Sequence, residues 1–191
     1  MRPARPSPLL ALVLLATLAS GCAGKKAYQD RNMDFGAIKT VAVMPFWNLS
    51  QSQQAADRVR DVFSTALLAT HAVYVVPTGE VARASKRLAL ATPATPSAEE
   101  VVKLAALLKA DAVITGVVKE YGEVRSSSAA SNVVSVSLQM HEAGTGKVIW
   151  SGTSTKGGVT WGTRLLGTGG GEAMNAVTEQ AVDDLLAQLF Q

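Results

Sequence analysis

The amino-acid sequence predicts an α+β fold, a two-layer sandwich in which a mixed sheet of about five strands carries helices on one side. Three observations predict this class. Residues 40–45 form a short apolar run rich in β-branched side chains, which is typical of a buried strand. Residues 52–70 carry apolar side chains at steps of three and four, which is typical of an amphipathic helix. Residues 134–141 alternate between apolar and polar side chains, which is typical of a half-exposed strand.

The predicted order of elements is β-α-β-α-α-β-β-β-α. The first strand ends at Pro45, and the amphipathic helix follows it. A second apolar run at 73–76 predicts the next strand, and a helical stretch covers 78–90. Pro93 and Pro96 break that stretch, because proline lacks the backbone N–H that a helix interior requires.

The next helix has a defined beginning. Ser97 and Glu100 have the spacing of a capping box, in which each side chain accepts a hydrogen bond from the other residue's backbone N–H. Four elements follow that helix along the chain: a strand at 112–121, an antiparallel hairpin over 132–156 with its turn at 144–147, a glycine-rich loop at 161–171 and a final helix from about Glu172. This succession of strands and helices predicts the mixed sheet with its layer of helices.

The composition allows one folded domain and excludes several classes of protein. The chain has 191 residues, of which 48% are hydrophobic and 17% charged, so it can bury one core but hardly two. Its 16 glycines and 7 prolines are near ordinary usage, which excludes collagen-like and wholly disordered chains. One cysteine and two histidines cannot form a disulfide framework, a cysteine-rich zinc site or an iron–sulfur cluster within one chain. We therefore expect no cofactor and no metal.

The first residues have the composition of an export signal. Arg2 and Arg5 precede an apolar run at 9–18, which is too short to cross a membrane as a helix of about 20 apolar residues. Small residues follow the run and lead directly to Cys22, the single cysteine of the chain. We therefore predict a signal peptide over residues 1–21.

Residues 18–22, Leu-Ala-Ser-Gly-Cys, resemble the bacterial lipobox. That resemblance implies that the Cys22 thiol takes a diacylglyceryl group, that the bond between Gly21 and Cys22 is cut, and that the new amino group is N-acylated. Acyl chains such as palmitate would hold the protein on a membrane, since each buried CH₂ contributes about 0.8 kcal/mol. Ala23 replaces the aspartate that retains enteric lipoproteins at the inner membrane, which implies the periplasmic side of the outer membrane. An ordinary secreted protein is the alternative.

The mature chain divides into a linker and one domain. Residues 22–36 are polar and have no apolar period, so they predict a flexible tether. Residues 37–191 predict a single periplasmic α+β domain. The formal net charge of the full chain is +3, and the signal peptide holds two of its basic residues. The mature protein is therefore nearly neutral, and we expect no nucleic-acid partner.

No motif of the chain predicts catalysis. Gly-Thr-Gly-Lys at 144–147 is not a phosphate-binding loop, because His141 and Val148 stand where that loop has a glycine and a Ser or Thr. His71 lies at a helix exit and His141 on the polar face of a strand, and no Gly-x-Ser-x-Gly elbow accompanies either of them. We assign no catalytic residue and predict that the protein is not an enzyme.

The aromatic residues of predicted loops are candidates for binding a protein partner. Three tryptophans, Trp47, Trp150 and Trp161, lie near strand ends or in loops. Loop aromatics often anchor partners, but they also cap cores, and the sequence leaves both interpretations open for each tryptophan. The tentative partner-binding residues are Phe46, Trp47, Asn48 and Trp161.

Four motifs of the chain form a pattern known from one group of proteins: Val-Ala-Val-Met-Pro-Phe at 41–46, Asn-Leu-Ser at 48–50, Tyr-Val-Val-Pro at 74–77 and Lys-Ala-Asp-Ala-Val-Ile-Thr-Gly at 109–116. With these motifs the chain resembles the CsgG-like and TolB-amino-terminal-like bacterial lipoprotein domains over about residues 37–190. The group includes the curli secretion channel, the LpoB activator of penicillin-binding proteins and DUF799-type lipoproteins. Its members are mostly non-enzymatic.

The resemblance and the anchor together lead to a functional hypothesis. We expect a lipid-anchored accessory that binds an envelope protein in an assembly, secretion or transport machine. One alternative is an oligomeric CsgG-like channel component, although the candidate insertion points at 125–131 and 161–171 are too short for two membrane strands of 9–11 residues each. The sequence also leaves open whether the soluble domain forms a homo-oligomer. The second alternative is a periplasmic hydrolase that depends on a polar residue such as His141.

Overall fold

The computed structural model describes residues 27–126, 129–158 and 172–191. The signal peptide, Cys22, Trp161 and the glycine-rich loop lie outside the described residues. The elements in chain order are β1 (Tyr28–Gln29), a 3-10 turn (Phe35–Ala37), β2 (Thr40–Val43), β3 (Trp47–Asn48), α1 (Ala55–Ala69), β4 (Tyr74–Val75), α2 (Thr78–Arg87), α3 (Ala98–Leu108), β5 (Ala112–Ser126), β6 (Ala129–Glu142), β7 (Val148–Gly157) and α4 (Met174–Leu189). Among these residues, no helix is long and apolar enough to span a bilayer.

The strands form one mixed sheet in the order β1-β7-β6-β5-β2-β4, with β3 also paired to β5. β2 runs parallel to β4 and β5, and β3 runs parallel to β5. The chain then folds back as an antiparallel meander of β5, β6 and β7, and β1 pairs antiparallel with β7. The α+β class and the mixed sheet predicted from the sequence are confirmed.

The larger hydrophobic core lies between one face of the sheet and the helices α1 and α4. Of the apolar positions that predict the first helix, Val59, Phe63 and Leu67 are buried in this core, and Val62 and Ala66 pack against it partly buried. From α4, Val177, Ala181 and Leu185 pack into the same core. A continuous apolar stripe along each helix therefore places both helices on this face.

A second, smaller core lies on the opposite face, so the prediction of helices on one side only is wrong. Ala42 and Met44 point into this core with Val81 of α2 and Leu104 of α3, whereas the alternate residues of β2 point into the larger core. A strand buried on both faces has no polar alternation and appears in sequence as a continuous apolar run. The run at 40–45 is such a strand, which requires a helix layer on each side.

The sheet has more strands than the predicted five because two-residue strands lie at its borders. β1 and β3 are too short to show any alternation in sequence. β1 also corrects the described part of the predicted tether, residues 27–36, since the backbone N–H of Asp30 donates to Ile149 O at 2.8 Å and Met33 and Phe35 pack against the larger core. Two apolar side chains in a polar segment are enough to fix it to the domain.

Local motifs that the sequence predicts are present. Ser97 Oγ accepts from the Glu100 N–H at 3.3 Å, and Glu100 Oε2 accepts from the Ser97 N–H at 2.7 Å, which completes the capping box of α3. The turn at 144–147 joins β6 to β7, and Gly146 adopts a φ of 69° there. A Cβ on Gly146 would lie 2.3 Å from Ala98 O, so this turn needs glycine both for its backbone conformation and for its contact with α3.

Candidate partner-binding surface

One half of a sheet face has no helix packed over it among the described residues. On the face of the smaller core, α2 contacts β2 and α3 contacts β5. Farther along the same face, polar side chains of β5, β6 and β7 line an open groove of about 420 Å³ that also borders the loop before α3. The groove is lined by Ala94, Thr95, Pro96, Thr115, Gly116, Val117, Lys119, Ser137, Gln139, His141, Ser151 and Thr153.

The floor of this groove consists of side chains in register across three strands. Gln139 of β6 pairs with Thr115 of β5 and with Ser151 of β7, so the three side chains form one row. The next row contains Ser137 and Thr153, whose hydroxyl oxygens are 2.7 Å apart. Hydroxyl pairs across strands satisfy these polar groups and leave a surface of mixed donors and acceptors, as the alternation at 134–141 predicts.

His141 is held between β5 and the hairpin turn. Its Nδ1 lies 3.2 Å from Gly146 O and its Nε2 lies 3.1 Å from Thr115 Oγ1. Since a carbonyl oxygen only accepts, Nδ1 carries a hydrogen, and in the neutral ring Nε2 accepts from the Thr115 hydroxyl. The ring therefore fastens the turn to the sheet, and its contact with a hydroxyl is also the geometry of a nucleophile and a base.

Within the described residues, no cluster of three or more His, Cys, Asp or Glu side chains could hold a metal.

The predicted partner-binding residues divide into a buried and an exposed group. Phe46 is only 5% exposed, and its ring centroid lies 6.2 Å from that of Phe63. A Cβ on Gly116 would lie 2.6 Å from the Phe46 ring, so the ring occupies the space that glycine leaves. Phe46 is thus a core residue and does not present its side chain to a partner.

Trp47 is 41% exposed and lies beside the groove. In the parallel pairing of β3 with β5 it is in register with Val117, which lines the groove, so both side chains lie on the same sheet face. Leu49, two residues later, is 59% exposed. The loop therefore presents two large apolar side chains at the border of a polar surface.

Asn48 holds this loop in place from within. Its Nδ2 donates to Ser52 O at 2.8 Å, and its Oδ1 accepts from the backbone N–H of Ser50 at 3.0 Å and from the Ser50 hydroxyl at 2.8 Å. Hydrogen bonds from an asparagine side chain to residues a few positions later stabilise a turn of the backbone. Asn48 is thus a positioning residue for Trp47 and Leu49.

The opposite border of the groove carries an aromatic residue that the sequence analysis missed. Tyr28 is 53% exposed and is in register with Ser151 of β7, so it lies on the groove face as well. Sequence reasoning places it in the tether because a two-residue strand has no detectable period. The structure also decides between the two interpretations of Trp150. Its ring is fully buried and its Nε1 donates to Gln188 O at 3.2 Å, so it is a core residue.

Comparison with known proteins identifies a family. The family model for GNA1162-like lipoproteins matches residues 33–188, which is most of the chain. No curated protein matches the sequence. The matched span covers both cores, the Trp47 loop and the strands of the groove.

Solved structures share the fold at low sequence identity. The PelC dodecamer from Paraburkholderia phytofirmans matches with a TM-score of 0.57 at 15% identity, covering 86% of this chain and 97% of that one. Lipoprotein GNA1162 from Neisseria meningitidis matches with a TM-score of 0.56 at 20% identity, covering 78% and 99%. The C-terminal domain of LpoB from Salmonella enterica has a TM-score of 0.49 at 16% identity, covering 66% and 86%. At these identities the likeness to PelC and GNA1162 establishes the fold alone.

Proposed function

Because this chain belongs to the GNA1162-like lipoprotein family, we propose that it is a lipid-anchored, non-enzymatic accessory that binds a protein partner in an envelope assembly, secretion or transport machine. The observation that carries the proposal is the exposed Trp47 beside an open polar groove on a domain of this lipoprotein family. The proposed location is the periplasmic side of the outer membrane.

The proposed anchor is Cys22. Residues 18–22 resemble a lipobox after an apolar segment, and the family is one of lipoproteins. Cleavage between Gly21 and Cys22, a diacylglyceryl thioether and an N-acyl group would fix the domain to a membrane. Ala23 supports sorting to the outer membrane.

The proposed partner site is formed by Trp47, Leu49 and the adjoining groove. A large exposed aromatic side chain gives binding energy when it enters a pocket on a partner. The four hydrogen bonds of the Asn48 side chain hold the loop in one conformation, so little conformational entropy is lost when a partner binds. Trp161, outside the described residues, remains part of the proposal from the sequence.

Site-specific photo-crosslinking in cells tests this site. A photoreactive amino acid at Trp47 is expected to give a discrete adduct with one other envelope protein. Tyr74 is a matched control, because it is 58% exposed on β4 and its strand lies at the far edge of the sheet. An equal adduct from both positions, or none from position 47, would contradict the proposed site.

The second candidate function is an oligomeric channel component of the CsgG-like kind. It is favoured by the shared fold with PelC, which was solved as a dodecamer. The mass of the acylated protein in mild detergent, measured by native mass spectrometry, separates the two. A closed ring of many copies would favour a conduit, and a monomer or dimer would favour an adaptor.

The third candidate, a periplasmic hydrolase, is favoured by the contact between Thr115 and His141. It requires turnover of an ester or glycan substrate that His141→Ala abolishes. The accessory hypothesis instead expects no turnover by the wild-type protein on such a panel. If the wild-type protein shows turnover, and His141→Ala loses it while retaining the fold, the hydrolase replaces the accessory hypothesis.

A further inference from the structure

The segment between the proposed anchor and the first strand is short. Five residues separate Cys22 from Tyr28. Six Cα-to-Cα steps of at most about 3.6 Å place the two Cα atoms within about 22 Å of each other, whatever path the segment takes. Tyr28 is fixed to the domain because β1 pairs with β7 and Asp30 is bonded to Ile149.

We propose that the β1 edge of the sheet, residues 28–31, faces the lipid bilayer that holds the acyl chains of Cys22. This inference rests on the proposed acylation of Cys22 and adds an orientation to it. The domain stands on one edge of its sheet, with β1 toward the headgroups and β4 away from them.

The side chains at this edge suit a headgroup region. Tyr28 is 53% exposed and Arg31 is also exposed. Tyrosine is enriched at membrane interfaces because its ring is apolar and its hydroxyl is polar. Arg31 lies in the turn that follows β1, two residues beyond the last paired residue, Gln29. Basic residues are attracted to an anionic membrane surface, and Lys25 and Lys26 precede the edge in sequence.

The edge is also open in the described part of the chain. β1 pairs with β7 on one side, and no described strand pairs with its other side. A two-residue strand offers few unpaired backbone groups, so it is a poor template for adding another strand. A hydrated headgroup layer satisfies those groups without a protein partner.

The orientation has a consequence for the groove. Ser151, on the groove floor, is the direct neighbour of Tyr28. The groove therefore opens close to the bilayer, and its partner must itself reach the surface of that membrane.

The opposite edge provides a matched control. β4 lies five strand spacings from β1, about 24 Å across the sheet at about 4.8 Å each. Tyr74 on β4 is 58% exposed, against 53% for Tyr28 on β1. Because Cys22 is the single cysteine and would be acylated, Tyr28→Cys and Tyr74→Cys each provide one reactive thiol.

The experiment places the acylated, full mature protein in vesicles of phosphatidylethanolamine and phosphatidylglycerol that contain a lipid with a headgroup nitroxide. A thiol-reactive fluorophore is attached at position 28 or 74, and quenching by the nitroxide is measured. We expect the label at 28 to lose most of its fluorescence and the label at 74 to retain most of its own. Gln29→Cys, exposed on the same strand, replaces Tyr28→Cys if that variant does not fold.

Two results would overturn the orientation, and they are distinguishable from failure of the anchor. Equal quenching at both positions, or stronger quenching at 74, in protein that floats with the vesicles contradicts the β1-down orientation and leaves the anchor intact. Wild-type protein that takes up the fluorophore at Cys22 and does not float shows that Cys22 is not acylated, and both the anchor and the orientation then fall.

Discussion

Asp111 joins the two central parallel strands at their beginnings. Its Oδ2 accepts hydrogen bonds from the backbone N–H groups of Lys39 and Thr40, each at 2.8 Å, and its own N–H donates to Thr40 O. Lys109, two residues earlier, ends α3 in the left-handed conformation with a φ of 53°. The Lys-Ala-Asp segment of the family-like motif therefore has a structural role at the junction of β2 and β5.

We predict that Asp111→Ala lowers the free energy of unfolding by about 1–3 kcal/mol, because two backbone donors lose a charged acceptor. Asp111 is exposed, so water compensates part of this loss. Urea denaturation measures the change. Asp111→Asn keeps one acceptor oxygen, so its free energy of unfolding is expected to lie between those of the wild type and Asp111→Ala. A loss of stability in Asp111→Asn as large as in Asp111→Ala would contradict this role of Asp111.

Two tryptophans provide a test of burial against exposure. Trp150→Ala removes a fully buried ring and its hydrogen bond to Gln188, so we expect a loss of about 3–5 kcal/mol. Trp47→Ala, at an exposed position, is expected to cost less than about 1 kcal/mol. Thermal unfolding of both variants measures the difference. Similar losses would place Trp47 in the core rather than at a binding surface.

The sequence indicates the Trp47 loop but not which of its aromatic side chains is exposed. Phe46 and Trp47 are consecutive, so the strand geometry points them to opposite faces of the sheet. The face that each takes depends on Gly116 of β5, which makes room for the Phe46 ring. That contact joins residues 70 positions apart and leaves no local pattern.

At the scale of elements, α3 has the most complete local determinants. Its N-terminus carries both bonds of a capping box, and its apolar residues Val101, Leu104 and Ala105 are buried in the smaller core. Because cap and apolar period both lie within a few residues, the sequence predicts the beginning of this helix correctly.

We predict that Ser97→Ala lowers the free energy of unfolding by about 1 kcal/mol, since the Glu100 N–H loses its side-chain acceptor. Chemical denaturation checks this value. Glu99→Gln changes a neighbouring acid in the same turn that is not part of the box, and it is expected to change stability by less than about 0.5 kcal/mol. If Ser97→Ala is as stable as Glu99→Gln, the capping box does not stabilise α3.

Other features of the elements depend on tertiary contacts that a single sequence does not reveal. Alternation and turn residues predict the hairpin of β6 and β7, but β5 extends past its predicted end at 121 to Ser126, and β6 begins at Ala129, before its predicted start at 132. The two-residue strands β1 and β3 exist because longer neighbours supply their hydrogen bonds. The second helix layer is needed because β2 is buried on both faces. In the sequence, a run of only four strand residues does not distinguish such a strand from part of a buried helix.

At the scale of the whole molecule, the family match identifies a lipoprotein domain. The resemblance seen in the sequence is confirmed at the level of a lipoprotein domain family by the GNA1162-like match. Two of the exposed aromatic residues of the described surface, Trp47 at β3 and Tyr28 at β1, lie at opposite borders of one groove. Sequence patterns identify the first and miss the second, because β1 joins the sheet through residues that look like a linker.

The first measurement is the intact mass of the protein extracted from bacterial membranes, because the proposed lipid anchor and the membrane-facing edge both require an acylated Cys22. We predict the mass of residues 22–191 with a diacylglyceryl group and one further acyl chain, and the loss of both modification and membrane association in Cys22→Ser. A mass equal to an unmodified chain, or a chain cleaved at another position, would contradict the account.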